Sequence, residues 1–226
     1  MIFVNFKTYQ QGTGEAALGL AKICRQVEEK TKVKIIPVVQ AVDIFRLNQE
    51  GFEVWAQHID DISFGPYTGQ VLPEAVIAAG AKGVLLNHSE CKLPVEVIGS
   101  IIQKLKTIEQ LNNCTIGKLV CAESVGEAKE ISQFKPSLLA YEPPELIGGD
   151  VSVSSAKPEI IRDFVSQIKE IPVLVGAGIH TQDDVRKAIG LGAVGVLVSS
   201  GVVLTKNPRK VLLDLASGFK ATEAKF

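Results

Sequence analysis

Short apolar runs and longer amphipathic stretches alternate along the 226-residue chain. The runs are "IFVNF" (2–6), "VKIIPV" (33–38), "EVWAQ" (53–57), "GVLLN" (83–87), "IGKLVC" (116–121), "SLLAY" (137–141), "PVLVGA" (172–177) and "VGVLVS" (194–199). They are short and rich in Val, Ile and Leu. Nearly continuous apolar character predicts strands buried on both faces, as in parallel sheets. Between them, residues 15–30 put Ala16, Leu20, Ile23 and Val27 on one helical stripe, and residues 94–111 do the same with Val97, Ile101, Leu105 and Ile108. Over 181–190, Thr181 is placed as a cap, with Asp184 three residues on and Gly190 as a stop. Pro158 and Pro208 sit where helices begin. Eight strand–helix repeats predict an α/β chain closed into a (β/α)8 barrel, eight parallel strands ringed by helices, as one domain over 1–226. The chain is a little short for that fold, so its helices and loops must be trimmed. No linker or low-complexity tract interrupts it, and the final "ATEAKF" is expected to fray.

Composition narrows the classes. Hydrophobic residues make up 46% of the chain, enough for a sizeable core, and the formal net charge is −1. A balance so near zero gives no broad attraction to nucleic acid or to a membrane surface, so any charged ligand must be held locally. The longest apolar stretches fall far short of the ~20 residues that cross a bilayer, and "MIFVNFK" runs straight into a strand without a signal segment. The expected location is the cytoplasm. Cys24, Cys91, Cys114 and Cys121 form no C-x-x-C pair and keep no zinc-ligand spacing to a histidine. They read as reduced thiols packed as small hydrophobes.

In such a barrel chemistry gathers at the C-terminal ends of the strands. The first strand ends in Asn5 and Lys7, two apart and so on one side of an extended chain. Lys7 is either an anion holder inside the mouth or a solvated surface cation. The fourth ends in Asn87, His88, Ser89 and Glu90. Backbone N–H groups aimed at that imidazole would keep it neutral, while the plainer reading is a hydrogen-bonded loop histidine. The sixth ends in Glu142, followed at once by Pro143 and Pro144. A partly desolvated carboxylate there is a candidate general base, and an exposed loop carboxylate is the alternative. Gly176 to Gly178 and Ser199 to Gly201 put small residues after the seventh and eighth strands, the usual phosphate site of this fold. His58 and His180 read as loop or interface residues, and Cys121 as a packed thiol that ends the fifth strand near the mouth.

Together these residues resemble the triosephosphate isomerase family. Asn5-Phe6-Lys7 is similar to that family's first-strand N-x-K, "NHSE" (87–90) to its G-H-S-E, and "AYEP" (140–143) to its catalytic-base motif. "AQHIDDISFGPYTGQV" (56–71) resembles its subunit-contact loop, with Thr68 at the tip. The motifs stand in order on the expected strands, over residues 2 to about 218. "NHSE", "EPPELIG" and "GAGI" resemble the short archaeal members in particular. Departures are Asn87 for the usual glycine, Cys91-Lys92 for Arg-Arg, "GAGI" for Gly-Gly-Ser, and "GGD" (148–150) for Gly-Thr-Gly.

The resemblance implies an aldose–ketose isomerase of glycolysis and gluconeogenesis that interconverts dihydroxyacetone phosphate and D-glyceraldehyde 3-phosphate through an enediolate. It implies Glu142 as base, His88 as electrophile, Lys7 as the cation facing the developing charge, Asn5 as an orienting group and Glu90 in the supporting network. It also implies substrate and phosphate contacts at Asn5, Phe6, Lys7, Ile147, Gly148, Gly178, Ser199 and Ser200. Pro143 and Pro144 would be the hinge of a lid that carries Leu146 and Ile147. No metal or organic cofactor is implied, and the expected assembly is a homodimer or homotetramer. Another phosphate-binding barrel, such as an epimerase, an aldolase or a different sugar-phosphate isomerase, would account for "GAGI" and "SSG" equally well, as would a non-enzymatic phosphate-binding module. Neither accounts for Asn5, Lys7, His88 and Glu142 together.

Overall fold

The structure, a computed structural model, describes residues 1–143 and 158–219. All eight predicted strands are present: β1 (Ile2–Asn5), β2 (Ile35–Val39), β3 (Trp55–Ala56), β4 (Gly83–Leu86), β5 (Gly117–Ala122), β6 (Leu138–Tyr141), β7 (Val173–Val175) and β8 (Gly195–Val198). Each pairs in parallel with the next, and β8 returns to β1 through Ile2↔Val196 and Phe3↔Leu197, which closes the barrel. The helices among the described residues are α1 (Glu15–Thr31), α2 (Ala41–Gln49), α3 (Pro73–Ala78), α4 (Val95–Asn112), α5 (Val125–Ser132), α6 (Pro158–Gln167), α7 (Gln182–Gly190), α8 (Ser200–Val203) and α9 (Pro208–Ser217). Among them no helix is long and apolar enough to cross a membrane. The predicted end of the chain, "ATEAKF", lies outside the described residues.

Local chemistry sets the helix ends. Thr181 Oγ1 accepts from the Asp184 N–H and the Asp184 carboxylate accepts from the Thr181 N–H, the reciprocal capping box expected from the sequence. Pro158 and Pro208 open α6 and α9. Gly190 is the last residue of α7, and the left-handed turn that follows falls on Gly192, at φ +100°. One stripe needs correction. In α1 the buried residues are Ala17, Leu20, Ala21, Cys24 and Val27, while Ala16 is exposed. The helix turns the face centred on Leu20 and Cys24 to the barrel, so the apolar Ala16 at its start falls outside that face. In α4, Ile101, Leu105 and Ile108 are buried as expected.

The sheet separates two cores. Phe3, Ile36, Trp55, Leu85, Leu119, Leu138, Leu174 and Leu197, at least one from every strand, fill the barrel interior together with Val38, Cys121 and Ala140. Their sequence neighbours, such as Ile2, Val4, Val84, Leu86 and Leu139, face outward onto the helices. One level inside the barrel is nearly all one side chain. Trp55, Gly83 and Gly117 are register partners on three adjacent strands. The indole lies across both glycines, and a Cβ on either would collide with its ring. Phe3 meets the same indole edge-on at 4.9 Å between centroids. Gly117→Ala is therefore expected to overpack this level and to destabilise the fold by roughly 1–3 kcal/mol. Denaturant unfolding checks this, and an unchanged midpoint would refute the packing account.

Candidate active site

Inward-facing positions of a strand recur every second residue. Continuing the interior set upward carries Phe3 to Asn5 and Lys7, Leu119 to Cys121, Ala140 to Glu142, Leu174 to Gly176, and Leu197 to Ser199. The C-terminal mouth is thus lined by a polar ring that continues the apolar interior.

Asn5 is buried, and its Oδ1 accepts the Lys7 backbone N–H at 3.0 Å. This bond stabilises Lys7 at φ +47°, in the left-handed region that non-glycine residues rarely occupy. Gln57 Nε2 donates to the Lys7 carbonyl at 3.0 Å, and Lys7 Nζ reaches Glu90 Oε1 at 2.7 Å. The lysine is tied at three points and projects over the mouth. The Phe6 side chain is fully buried in the outer core between strands and helices.

Asn87 turns the chain at the end of β4 with φ +58°. Glycine adopts this freely, and asparagine tolerates it better than other side chains. Here asparagine also bonds: Nδ2 donates to the Cys121 carbonyl at 2.9 Å and to Glu127 Oε1 at 2.8 Å, and Oδ1 accepts from the Leu93 N–H at 2.9 Å. The turn presents His88. Its Nδ1 accepts the Glu90 backbone N–H at 3.2 Å, which leaves the proton of a neutral ring on Nε2. That Nε2 points at Glu142 Oε1, 3.7 Å away.

Glu142 is 5% exposed. Burial raises its pKa above the ordinary carboxylate range, opposed in part by His88, a Cys121 hydrogen bond, Lys7 and the Ser89 backbone N–H. Burial and then the Glu142 charge push the Cys121 thiol well above its usual value, so it remains a donor. Beneath the carboxylate lies Gly176, where a Cβ would meet Glu142 Cγ at 2.6 Å. Among the described residues, two buried polar atoms of this ring have no hydrogen-bond partner, Glu142 Oε2 and Ser199 Oγ. Ser199 also stands before α8, and Gly178 takes φ +65° in the loop after β7.

The structure thus brings Asn5, Lys7, His88, Glu90 and Glu142 to one mouth, with Gly178, Ser199 and Ser200 on its rim. Pro143 follows Glu142 and is buried, whereas Pro144, Leu146, Ile147, Gly148 and the "GGD" stretch lie outside the described residues. Thr68 is exposed on the loop after β3, beside exposed Phe64 and Tyr67. Sequence reasoning missed Gly176 as the seat of Glu142, Gln57 as a tie on Lys7, and the contact between Cys121 and Glu142. Period-two counting along β5 and β6 could have found the last. The thiols also divide: Cys24 and Cys121 are buried as expected, but Cys91 and Cys114 are exposed, one in the turn after His88 and one just past the end of α4. A cavity of about 760 Å³ opens at the opposite end of the barrel, lined by Phe3, Ile36, Trp55 and Leu138. Its ionisable lining includes the Lys34–Glu53 ion pair at 2.9 Å, and among the described residues it contains no histidine.

Comparison with known proteins agrees with this geometry. A family model described as triosephosphate isomerase matches residues 1–217. The chain is 41% identical over 222 residues to a triosephosphate isomerase of Methanobrevibacter smithii, covering 96% of this chain and 97% of that one. It is 42% identical over 220 residues to that of Methanothermus fervidus (95% and 96% covered), and 38% identical over 218 residues to that of Saccharolobus solfataricus (95% and 93% covered). With a closed eight-stranded barrel, a match along almost its whole length and relatives near 40% identity, the chain belongs to the triosephosphate isomerase family.

Proposed function

We propose that this chain interconverts dihydroxyacetone phosphate and D-glyceraldehyde 3-phosphate, with Glu142 as the base and His88 as the electrophile. The observation that carries the assignment of roles is the pairing of a desolvated carboxylate with an imidazole that faces it through Nε2. A carboxylate of raised pKa suits abstraction of a carbon-bound proton and its return to the adjacent carbon. A neutral imidazole that presents N–H can polarise the carbonyl and pass a proton between the two oxygens. This family is itself a long-standing illustration of such pKa tuning. Lys7 offsets the enediolate charge, Asn5 orients the substrate oxygen, and Glu90 steadies both Lys7 and His88. Charge development is met by these side chains, so the reading calls on no metal or organic cofactor.

Geometry adds a requirement. A carbon skeleton does not fit between groups 3.7 Å apart, so Glu142 must shift as substrate enters. Gly176, on which Glu142 rests, puts no side chain against the carboxylate. Pro143 and Pro144 fix φ just beyond the carboxylate, so the segment they lead can act as a lid whose closure aims Glu142 and excludes water. Backbone N–H groups at Ile147, Gly148, Gly178, Ser199 and Ser200 hold the phosphate, and the unpartnered Ser199 Oγ supports an acceptor there. The chain acts as one barrel domain in the cytoplasm. It pairs as a homodimer or homotetramer, with Thr68 reaching a neighbouring subunit, and the exposed Phe64 and Tyr67 on the same loop support such a contact.

The deciding experiment is a coupled assay on glyceraldehyde 3-phosphate, in which absence of turnover sinks the proposal. Glu142→Asp withdraws the carboxylate by one methylene and is expected to lower kcat by about 100-fold or more while the fold persists. A change below about tenfold would remove Glu142 as base. Stability gives an independent check. The folded pKa of Glu142 lies above its unfolded value, so folding binds a proton at this carboxyl. Its stabilising share is present at low pH and is lost as pH rises through the folded value. Glu142→Gln should therefore abolish activity yet raise the unfolding midpoint at pH 7, and the gain should shrink as pH falls towards that of an ordinary glutamate, about 4.3. A gain that grows on acidification would contradict the assigned direction.

A further inference from the structure

The N-terminal end of the barrel has chemistry of its own. The cavity there, about 760 Å³, falls within the ~300–1,000 Å³ range of small-molecule sites. Phe3, Ile36, Phe52, Trp55 and Leu138 give it an apolar and partly aromatic wall. Two glycines keep it open. Because Gly83 and Gly117 carry no Cβ, the indole of Trp55 lies against the backbone of β4 and β5 instead of crossing the lumen. Trp55 is 7% exposed, yet its Nε1 is buried without a hydrogen-bond partner among the described residues. Buried donors are almost always paired in a resting core, so this one calls for a reason. The lining also carries three charged side chains, Lys34, Glu53 and Lys82. Lys34 is held by Glu53 at 2.9 Å and by Glu28 at 3.2 Å. Lys82 makes no ion pair and no side-chain hydrogen bond among the described residues. No described residue of the lining belongs to the loop that carries Thr68 or to the turn after β4, so a subunit contact at those places leaves the cavity open.

We infer that this end of the barrel is a binding site for a small aromatic carboxylate. The ring lodges against Trp55, Phe3 and Leu138, where removal of apolar surface from water supplies the main driving force. The carboxylate stays at the rim beside exposed Lys82, because a charge carried deeper would lose its water without gaining a partner. Lys82 and the Trp55 N–H are donors that lack acceptors among the described residues, and a carboxylate only accepts. A cationic ligand would meet Lys82 and find Glu53 already engaged by Lys34. An aliphatic acid could fill the same volume, but it would forgo the ring contacts that Trp55 and Phe3 offer. Asn5, Lys7, His88 and Glu142 stand at the other end of their strands, so the site is separate from the mouth.

Trp55 is the sole tryptophan of the chain, so its emission reports on this cavity. The intact protein is titrated with phenylacetate, and a saturable change in emission is expected with a Kd of about 1 mM or below. Phenylacetamide has the same shape without the charge and should bind about threefold more weakly, the weight of one exposed ion pair. Lys82→Gln, at an exposed position, should remove that difference and leave phenylacetamide binding unchanged. Hexanoate should bind more weakly than phenylacetate. No saturable change, equal binding of acid and amide in the unaltered protein, or a difference that survives Lys82→Gln would overturn the inference. Hexanoate binding as tightly as phenylacetate would overturn it too, since the wall would then not select a ring.

Discussion

A strand in a closed sheet has only two sides, and that constraint organises this molecule. Apolar residues fill both sides along most of each strand, because one side meets the barrel axis and the other the helices. At the C-terminal end the interior side opens to solvent, and the same alternation that buried Phe3, Ala140 and Leu197 delivers Asn5, Glu142 and Ser199. Residues more than a hundred positions apart meet because each is a strand's last inward position. Shifting any strand by one residue would exchange its two sides and remove its polar residue from the mouth.

Such a mouth carries local costs that the rest of the fold must offset. Lys7 and Asn87 hold left-handed backbone, which costs a non-glycine residue roughly 1–2 kcal/mol, and Glu142 buries a carboxyl whose charged form burial disfavours. Each has a visible counterweight. Asn5 and Gln57 hold Lys7, Asn87 makes three bonds of its own, and Cys121 and Ser89 donate to Glu142. Glu142 Oε2 remains without a partner among the described residues. A buried acceptor left open is a liability in a resting core, and in the proposed reaction it is an oxygen free to take up a proton.

The strands were legible because their apolar runs are continuous, and the mouth because polar residues stand where those runs stop. Thr181 with Asp184 was legible because a capping box is local chemistry. What escaped was relational. Gly176 looked like part of a phosphate turn, and nothing in "GAG" says that Glu142 on the neighbouring strand would rest on it. The indole spread over Gly83 and Gly117 is equally invisible, because neither run records which residues face each other across strands. Phe6 stands between Asn5 and Lys7 in the chain, yet alternation sends its side chain into the outer core. The cysteines were treated as one class by composition, whereas a thiol in a turn has no core to enter.

Two histidines show how far environment outweighs residue type. His88 accepts a backbone N–H at Nδ1, so its Nε2 faces the mouth as a donor. His58 Nε2 donates a hydrogen bond to Asp60 Oδ1, so its Nδ1 faces Cys91 as an acceptor. One ring presents a donor and the other an acceptor, and the choice is made in each case by a single hydrogen bond on the far nitrogen. Both rings touch the turn from His88 to Cys91. Glu90 supplies the N–H that fixes the first ring, and the next residue is the thiol that faces the second.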